Sequence, residues 1–305
     1  MHVMIMPKFS LTLAVLTFNQ NRFLEPLIYS IAKQVDSDFE LLILDNGSNQ
    51  SIRENLESSI NKYNLRVPVR FLQNETNQGA AAGTAQLLAE TKTTHMSIIH
   101  GDDVLAPNYV ECIRNFFSTF PDVNALNVGL RGFEEEMGAI KTTKIYKSLW
   151  TKSDYLNSIL VSGLNPGIMP GSVVNVNFIT TRNLLSFSCV INGIEDHLLW
   201  LRILRNGGSI RRITDPIYLY RIHHEQFSSN DEKNSYFFGL ARRINLDESR
   251  NALEFWAASA EISYELKRFN RDKYMQGIKE LKNSNFFGFF RIFNILLRRL
   301  TALYL

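Results

Sequence analysis

The stretch THMSIIHGDDVLAPNYV (residues 94–110) changes character at its centre: the apolar run that begins at His95 stops at His100 and Gly101, and Asp102 and Asp103 follow at once. A short apolar run bounded by turn formers reads as a buried strand. Two adjacent carboxylates at its end either cap the helix that follows Pro107 or face a ligand.

Toward the N-terminus the same pattern occurs three more times. LTLAVLTF (residues 11–18) precedes a helical stretch at 22–34, FELLILD (39–45) one at 52–63, and VRFLQN (69–74) a small-residue helix at 79–91. This alternation predicts an α/β fold built on a parallel sheet. In such sheets ligands collect beyond the carboxyl ends of the strands, where loops vary and helix N-termini point into the crevice. The polar residues there are Thr17 and Asn19 after the first strand, Asp45, Asn46, Gly47 and Ser48 after the second, Asn77, Gln78 and Gly79 after the third, and Asp102 and Asp103 after the fourth. Each alone is an ordinary turn former, but four sets at four successive strand ends argue for a binding crevice.

Beyond Pro107 the rhythm weakens. A helix is predicted over 108–120, followed by the Gly- and Pro-containing VSGLNPGIMPGSVVN (161–175). EDHLLWLRILRN (195–206) carries apolar residues at helical spacing, so Glu195 and Asp196 open a helix, where acids also suit the helix dipole. From Ser235 onward the pattern is helical without strand signals.

Composition narrows the class. With 305 residues, 45% of them hydrophobic, the chain can bury one large core or two smaller ones. A net charge of +3 lacks the footprint of a nucleic-acid binder. Cys112 and Cys189 have no partners at metal-ligand spacing, which points to a reducing compartment without a disulfide framework. FSLTLAVLTF (9–18) is followed by Asn19, Gln20, Asn21 and Arg22 and not by a small-residue cleavage site, so it reads as a strand. No run reaches the roughly 18 apolar residues of a membrane span.

Taken in order, VLTFNQ, LLILDNGS, NQGAAAG, HGDDVLAPNYV, GIEDHLLWLRILRNG and YRIHHEQFS resemble the motif series of the inverting glycosyltransferases of family 2, across residues 11–229. The resemblance implies the GT-A fold, a mixed, mostly parallel sheet flanked by helices, with a nucleotide-binding half at 9–106, an acceptor half at 107–229 and a helical C-terminal region at 230–305. It implies transfer of a sugar from a UDP- or dTDP-sugar to a glycan acceptor, lipid-linked in surface polysaccharide assembly, on the cytoplasmic side. The divalent metal, Mn or Mg, is expected on Asp103, and Asp102 on the donor's ribose and sugar. Asp196 is the expected general base, and Glu195 orients the acceptor or caps its helix. Asp45 is expected under the donor base, with Thr17, Phe18 and Asn19 lining that end and Phe18 either stacking or packing in the core. Asn77 and Gly79 form the third turn, and His223 either approaches the diphosphate or is structural.

The sequence departs from the family pattern twice. His100 stands where a carboxylate is usual, and GAAAGTAQ (79–86) lacks a basic residue that would face the phosphates. The alternative these departures motivate is a catalytically silent binding or assembly subunit. A dinucleotide-dependent oxidoreductase is excluded because NQGAAAG is no G-x-G-x-x-G turn. The tail FFGFFRIFNILLRRLTALYL (286–305) sets Arg291, Asn294 and Arg298 on one helical face, as in an interfacial helix on anionic lipid, or packs on protein.

Overall fold

The computed structural model describes residues 9–136, 139–146, 169–185 and 195–226. The chain divides into two compact units: Met1–Leu149, Gly167–Val190 and Arg202–His224 form the first, and Trp150–Pro166, Ile191–Leu201 and Glu225–Leu305 the second.

The first unit begins with β1 (Leu11–Thr17), α1 (Asn21–Ala32), β2 (Glu40–Asp45), α2 (Arg53–Lys62), β3 (Val69–Gln73), α3 (Ala80–Glu90) and β4 (His95–His100). These are the elements expected from the strand–helix rhythm, with ends shifted by at most two residues. Every residue of β1 is buried, as a central parallel strand requires. Leu13, Val15 and Ile43 share one core with Leu27, Ile28 and Ile31 of α1. Parallel pairing sets the strand ends level: Thr17 stands opposite Asp45, and Leu16 opposite His100.

The chain continues through β5 (Val104–Leu105), α4 (Tyr109–Thr119), β6 (Ala125–Glu136), β7 (Ala139–Tyr146), β8 (Val173–Asn175), α5 (Val176–Thr181), α6 (Glu195–Arg205) and β9 (Ile210–Arg221). Together the strands form one mixed sheet in the order β3-β2-β1-β4-β8-β6-β9-β5, with β7 beside β6. Because β8 is antiparallel to both β4 and β6, and β9 is parallel to β6, β9 ends at the same edge as β4. Pro216 lies inside β9 opposite Gly129, where the register shifts. A bulge is where a residue without an N–H is tolerated in a sheet.

Helix α6 crosses from the second unit into the first between Leu201 and Arg202, so Glu195 and Asp196 belong to the second. The expected helical region 230–305, with the tail 286–305, lies outside the described residues. Among those described, no helix is long and apolar enough to cross a membrane.

One buried group sets a pH dependence. His95 is enclosed by the rings of Phe9 at 5.0 Å and Phe117 at 4.2 Å, and burial lowers its pKa to about 4. Below its ordinary value of 6.5 the unfolded chain takes up a proton that the folded chain refuses until about pH 4. Stability is therefore expected to fall as pH drops through that window and to level off beneath it. His95→Gln should flatten the slope in urea unfolding at stepped pH, and an unchanged slope would assign it to other groups.

Candidate active site

Side chains at the ends of β1 and β2 are tied together by Ser48. Its Oγ donates to Asp45 Oδ1 at 2.6 Å, its backbone N–H donates to the same oxygen at 3.0 Å, and Oγ accepts from the Asn19 N–H at 2.8 Å. Asn19 in turn accepts from the Asn49 N–H at 2.9 Å and holds a left-handed φ of 55°. Asp45 and Thr17 are almost wholly buried, and Asp45 Oδ2 and Thr17 Oγ1 have no hydrogen-bond partner among the described residues. Phe18, the next residue, is 37% exposed, so it is an accessible ring at this edge and not part of the core.

Asn46 organises the neighbouring turn. Its Nδ2 donates to Asn77 Oδ1 and Gly79 O, both at 3.1 Å, and its Oδ1 accepts from Asn74 Nδ2 at 2.9 Å and the Gln78 N–H at 3.2 Å. Gly47 lies between the two turns with φ at 80°, and a Cβ there would stand 2.3 Å from the Thr76 carbonyl carbon. No other residue fits.

The two carboxylates after β4 have different surroundings. Asp103 is wholly buried: Oδ2 accepts from the Tyr218 hydroxyl at 2.6 Å and Oδ1 from the Arg221 N–H at 2.9 Å. Burial, and then the charge of Asp102, raise its pKa well above the usual carboxylate range against these two hydrogen bonds. Tyr218 is pushed up by its own burial and by Asp103. Arg221 donates through Nε to the Asp102 carbonyl at 2.8 Å, with its guanidinium 4.9 Å from the Phe23 ring and 4.7 Å from that of Phe133. Asp102 is also buried but keeps 11% of its side chain accessible, and its Oδ2 lies 3.2 Å from His223 Nε2. The His223 ring packs 4.8 Å from Phe23.

His100 completes the group. Burial lowers its pKa, opposed by the charge of Asp102. One ligand-capable atom from each of His100, Asp102 and Asp103 lies within 4.8 Å of the others.

Residues 12–160 match the family described as "Glycosyl transferase family 2". The chain carries a family 2 glycosyltransferase domain. It is 26% identical over 203 residues, 66% of this chain and 69% of the relative, to the UDP-Gal:alpha-D-GlcNAc-diphosphoundecaprenol beta-1,3-galactosyltransferase of Escherichia coli. Its fold is that of S. aureus TarS 1-349 in complex with UDP-GlcNAc (TM-score 0.60, 15% identity, 90% of this chain and 80% of that one). The fold is shared also with the mannosyltransferase PcManGT from Pyrobaculum calidifontis in complex with GDP-Man and Mn2+ (TM-score 0.56, 12% identity, 97% and 81%).

In this glycosyltransferase the strand edge gathers Thr17, Phe18, Asn19 and Asp45, with Asn77 and Gly79 joined to them through Asn46. At the ends of β4 and β9 it joins Asp102 to His223. Asp196 is half-buried in the first turn of α6, next to Glu195, in the second unit. The sequence places Asn46 only among the polar strand-end residues and gives Tyr218 and Arg221 no role in the site. The signal for two of them was present in PIYLYR (216–221), where an arginine closes an apolar run and a tyrosine precedes it by three positions.

Proposed function

We propose that the enzyme moves one sugar from a nucleoside diphosphate sugar, UDP- or dTDP-linked, to a glycan acceptor carried on lipid, with inversion and with a divalent cation. The observation that carries this reading is the Asp102–His223 pair at 3.2 Å, on the sheet edge where Thr17 and Asp45 also end. Support comes from the diphosphoundecaprenol-linked substrate in the name of the Escherichia coli relative, and from the UDP-GlcNAc and the GDP-Man with Mn2+ held by the two structural neighbours.

Asp45 accepts the ring N–H of the base, with Phe18 against the base's face and Thr17 and Asn19 lining the same end. His100 and Asp102 suit a divalent cation, since a carboxylate oxygen and an imidazole nitrogen lie within 4.8 Å of each other there, with Asp103 beside them. A bound Mn2+ or Mg2+ would neutralise charge that grows on the diphosphate as the sugar leaves. The burial of Asp103 favours Asp102 as the residue in contact, the reverse of the expectation that put the metal on Asp103 and the ribose on Asp102. Asp103 then holds the turn from behind. His223 steadies the Asp102 carboxylate toward the diphosphate. Asp196 takes the proton from the acceptor hydroxyl on the face opposite the leaving group, and Glu195 orients the acceptor. Residues 286–305 supply the membrane contact that a lipid-linked acceptor calls for.

Calorimetric titration with UDP, with and without Mn2+, tests this reading. The parent should bind UDP more tightly with the cation, and Asp102→Asn should lose about tenfold or more of that gain with its melting temperature kept. UDP binding that ignores the cation in the parent, or an Asp102→Asn variant that keeps the gain, would overturn it.

A further inference from the structure

We propose that His100 is a nitrogen ligand that makes the cation site select a transition ion such as Mn2+ or Co2+ over Mg2+. The inference rests on the reading above that a divalent cation binds here, and it adds which residue sets the choice of ion.

The geometry is built for it. His100 ends β4, and its backbone N–H donates to the Tyr218 hydroxyl at 3.2 Å. That hydroxyl donates to Asp103, so one buried tyrosine fixes both residues. Ligands about 2.1 Å from one ion stand at most about 4.2 Å apart across it. The His100 and Asp102 ligand atoms lie within 4.8 Å of each other, close to that limit. A second polar group lies against the same turn. Thr17 Oγ1, buried and without a hydrogen-bond partner, would be 2.6 Å from a Cβ placed on Gly101, between His100 and Asp102. The turn is thus held close to an oxygen that has no other use within the described fold.

The chemistry follows from the ligand types. An all-oxygen set suits Mg2+, Ca2+ and Mn2+ alike, whereas an added imidazole nitrogen favours transition ions, least for Mn2+ and more for Co2+, over the hard Mg2+. A neutral ring also avoids placing a third carboxylate beside a diphosphate, where like charges would oppose each other.

Pulsed electron paramagnetic resonance of the full chain with UDP and Mn2+ reads the ligand directly, because a coordinated imidazole gives a nitrogen-14 modulation. The parent should show the modulation. His100→Asp and His100→Asn should bind Mn2+ without it, and their preference for Mn2+ over Mg2+, from calorimetric competition, should fall by about tenfold. His223→Gln should keep the modulation, which separates the two histidines. A signal that survives both His100 substitutions, a signal lost in His223→Gln, or an unchanged ion preference overturns the proposal. Failure of the parent to bind Mn2+ in the presence of UDP overturns the cation reading itself.

Discussion

Asp196→Asn is expected to lower sugar transfer by about 100- to 10,000-fold, the range supplied by a positioned general base. UDP affinity should be unchanged, because every residue assigned to the donor lies in the first unit and Asp196 lies in the second. An amide keeps the size and most hydrogen bonds of the acid but cannot take the acceptor's proton. Stability should change little, since a carboxylate in a first helical turn contributes about 0.3–1 kcal/mol through the helix dipole. Glu195→Gln should slow transfer far less, as befits a residue that orients the acceptor. The measurement is transfer rate beside UDP affinity for the three proteins. Near-parental transfer by Asp196→Asn would remove the residue from the mechanism, and loss of UDP binding would show that its role lies with the donor.

Asp103→Ala is expected to cost the fold about 3 kcal/mol or more, because it strands two buried donors whose loss of a partner costs about 1–3 kcal/mol each. Those donors are the Tyr218 hydroxyl and the Arg221 N–H. The position of Asp103 at a strand end, by itself, suggests a residue that could be removed with the fold intact. Its complete burial corrects that. Tyr218→Phe leaves one oxygen of Asp103 unpaired and should cost part of the same amount, whereas Asp102→Ala should cost less, since its side chain keeps 11% of its surface accessible and its carboxylate faces His223 in place of two buried donors. Urea unfolding of the three variants orders them, and an Asp103→Ala protein as stable as the parent would show that the turn does not depend on this carboxylate.

The first half of the fold was legible because its determinants are local. Leu, Ile and Val dominate β1 and β2, and Met96, Ile98 and Ile99 are the buried apolar residues of β4; helices separate them, and the chain marks each strand end with Thr17, Asp45 or the Asp102–Asp103 pair. Parallel strands that alternate with helices place those ends on one edge, so residue order alone nominates a crevice there. The second half was not legible in this way. β6 ends in three glutamates, and β9 runs through Asp215 and Pro216, so neither carries a strand pattern that survives without its partner. They become strands by pairing with each other.

The site shows the same division. Nothing local distinguishes Asp102 from Asp103, which are the same residue type side by side. The difference comes from Tyr218 and Arg221, 115 and 118 residues farther along the chain from Asp103. β9 returns to the edge of β4 and offers two donors to one carboxylate, which is fully enclosed, while the other, though also buried, keeps a small accessible face beside His223. Residue types and their spacing determined that acids stand at this edge. Which acid is free to meet a ligand was decided by desolvation and hydrogen bonding, and both depend on what the fold brings from far along the chain.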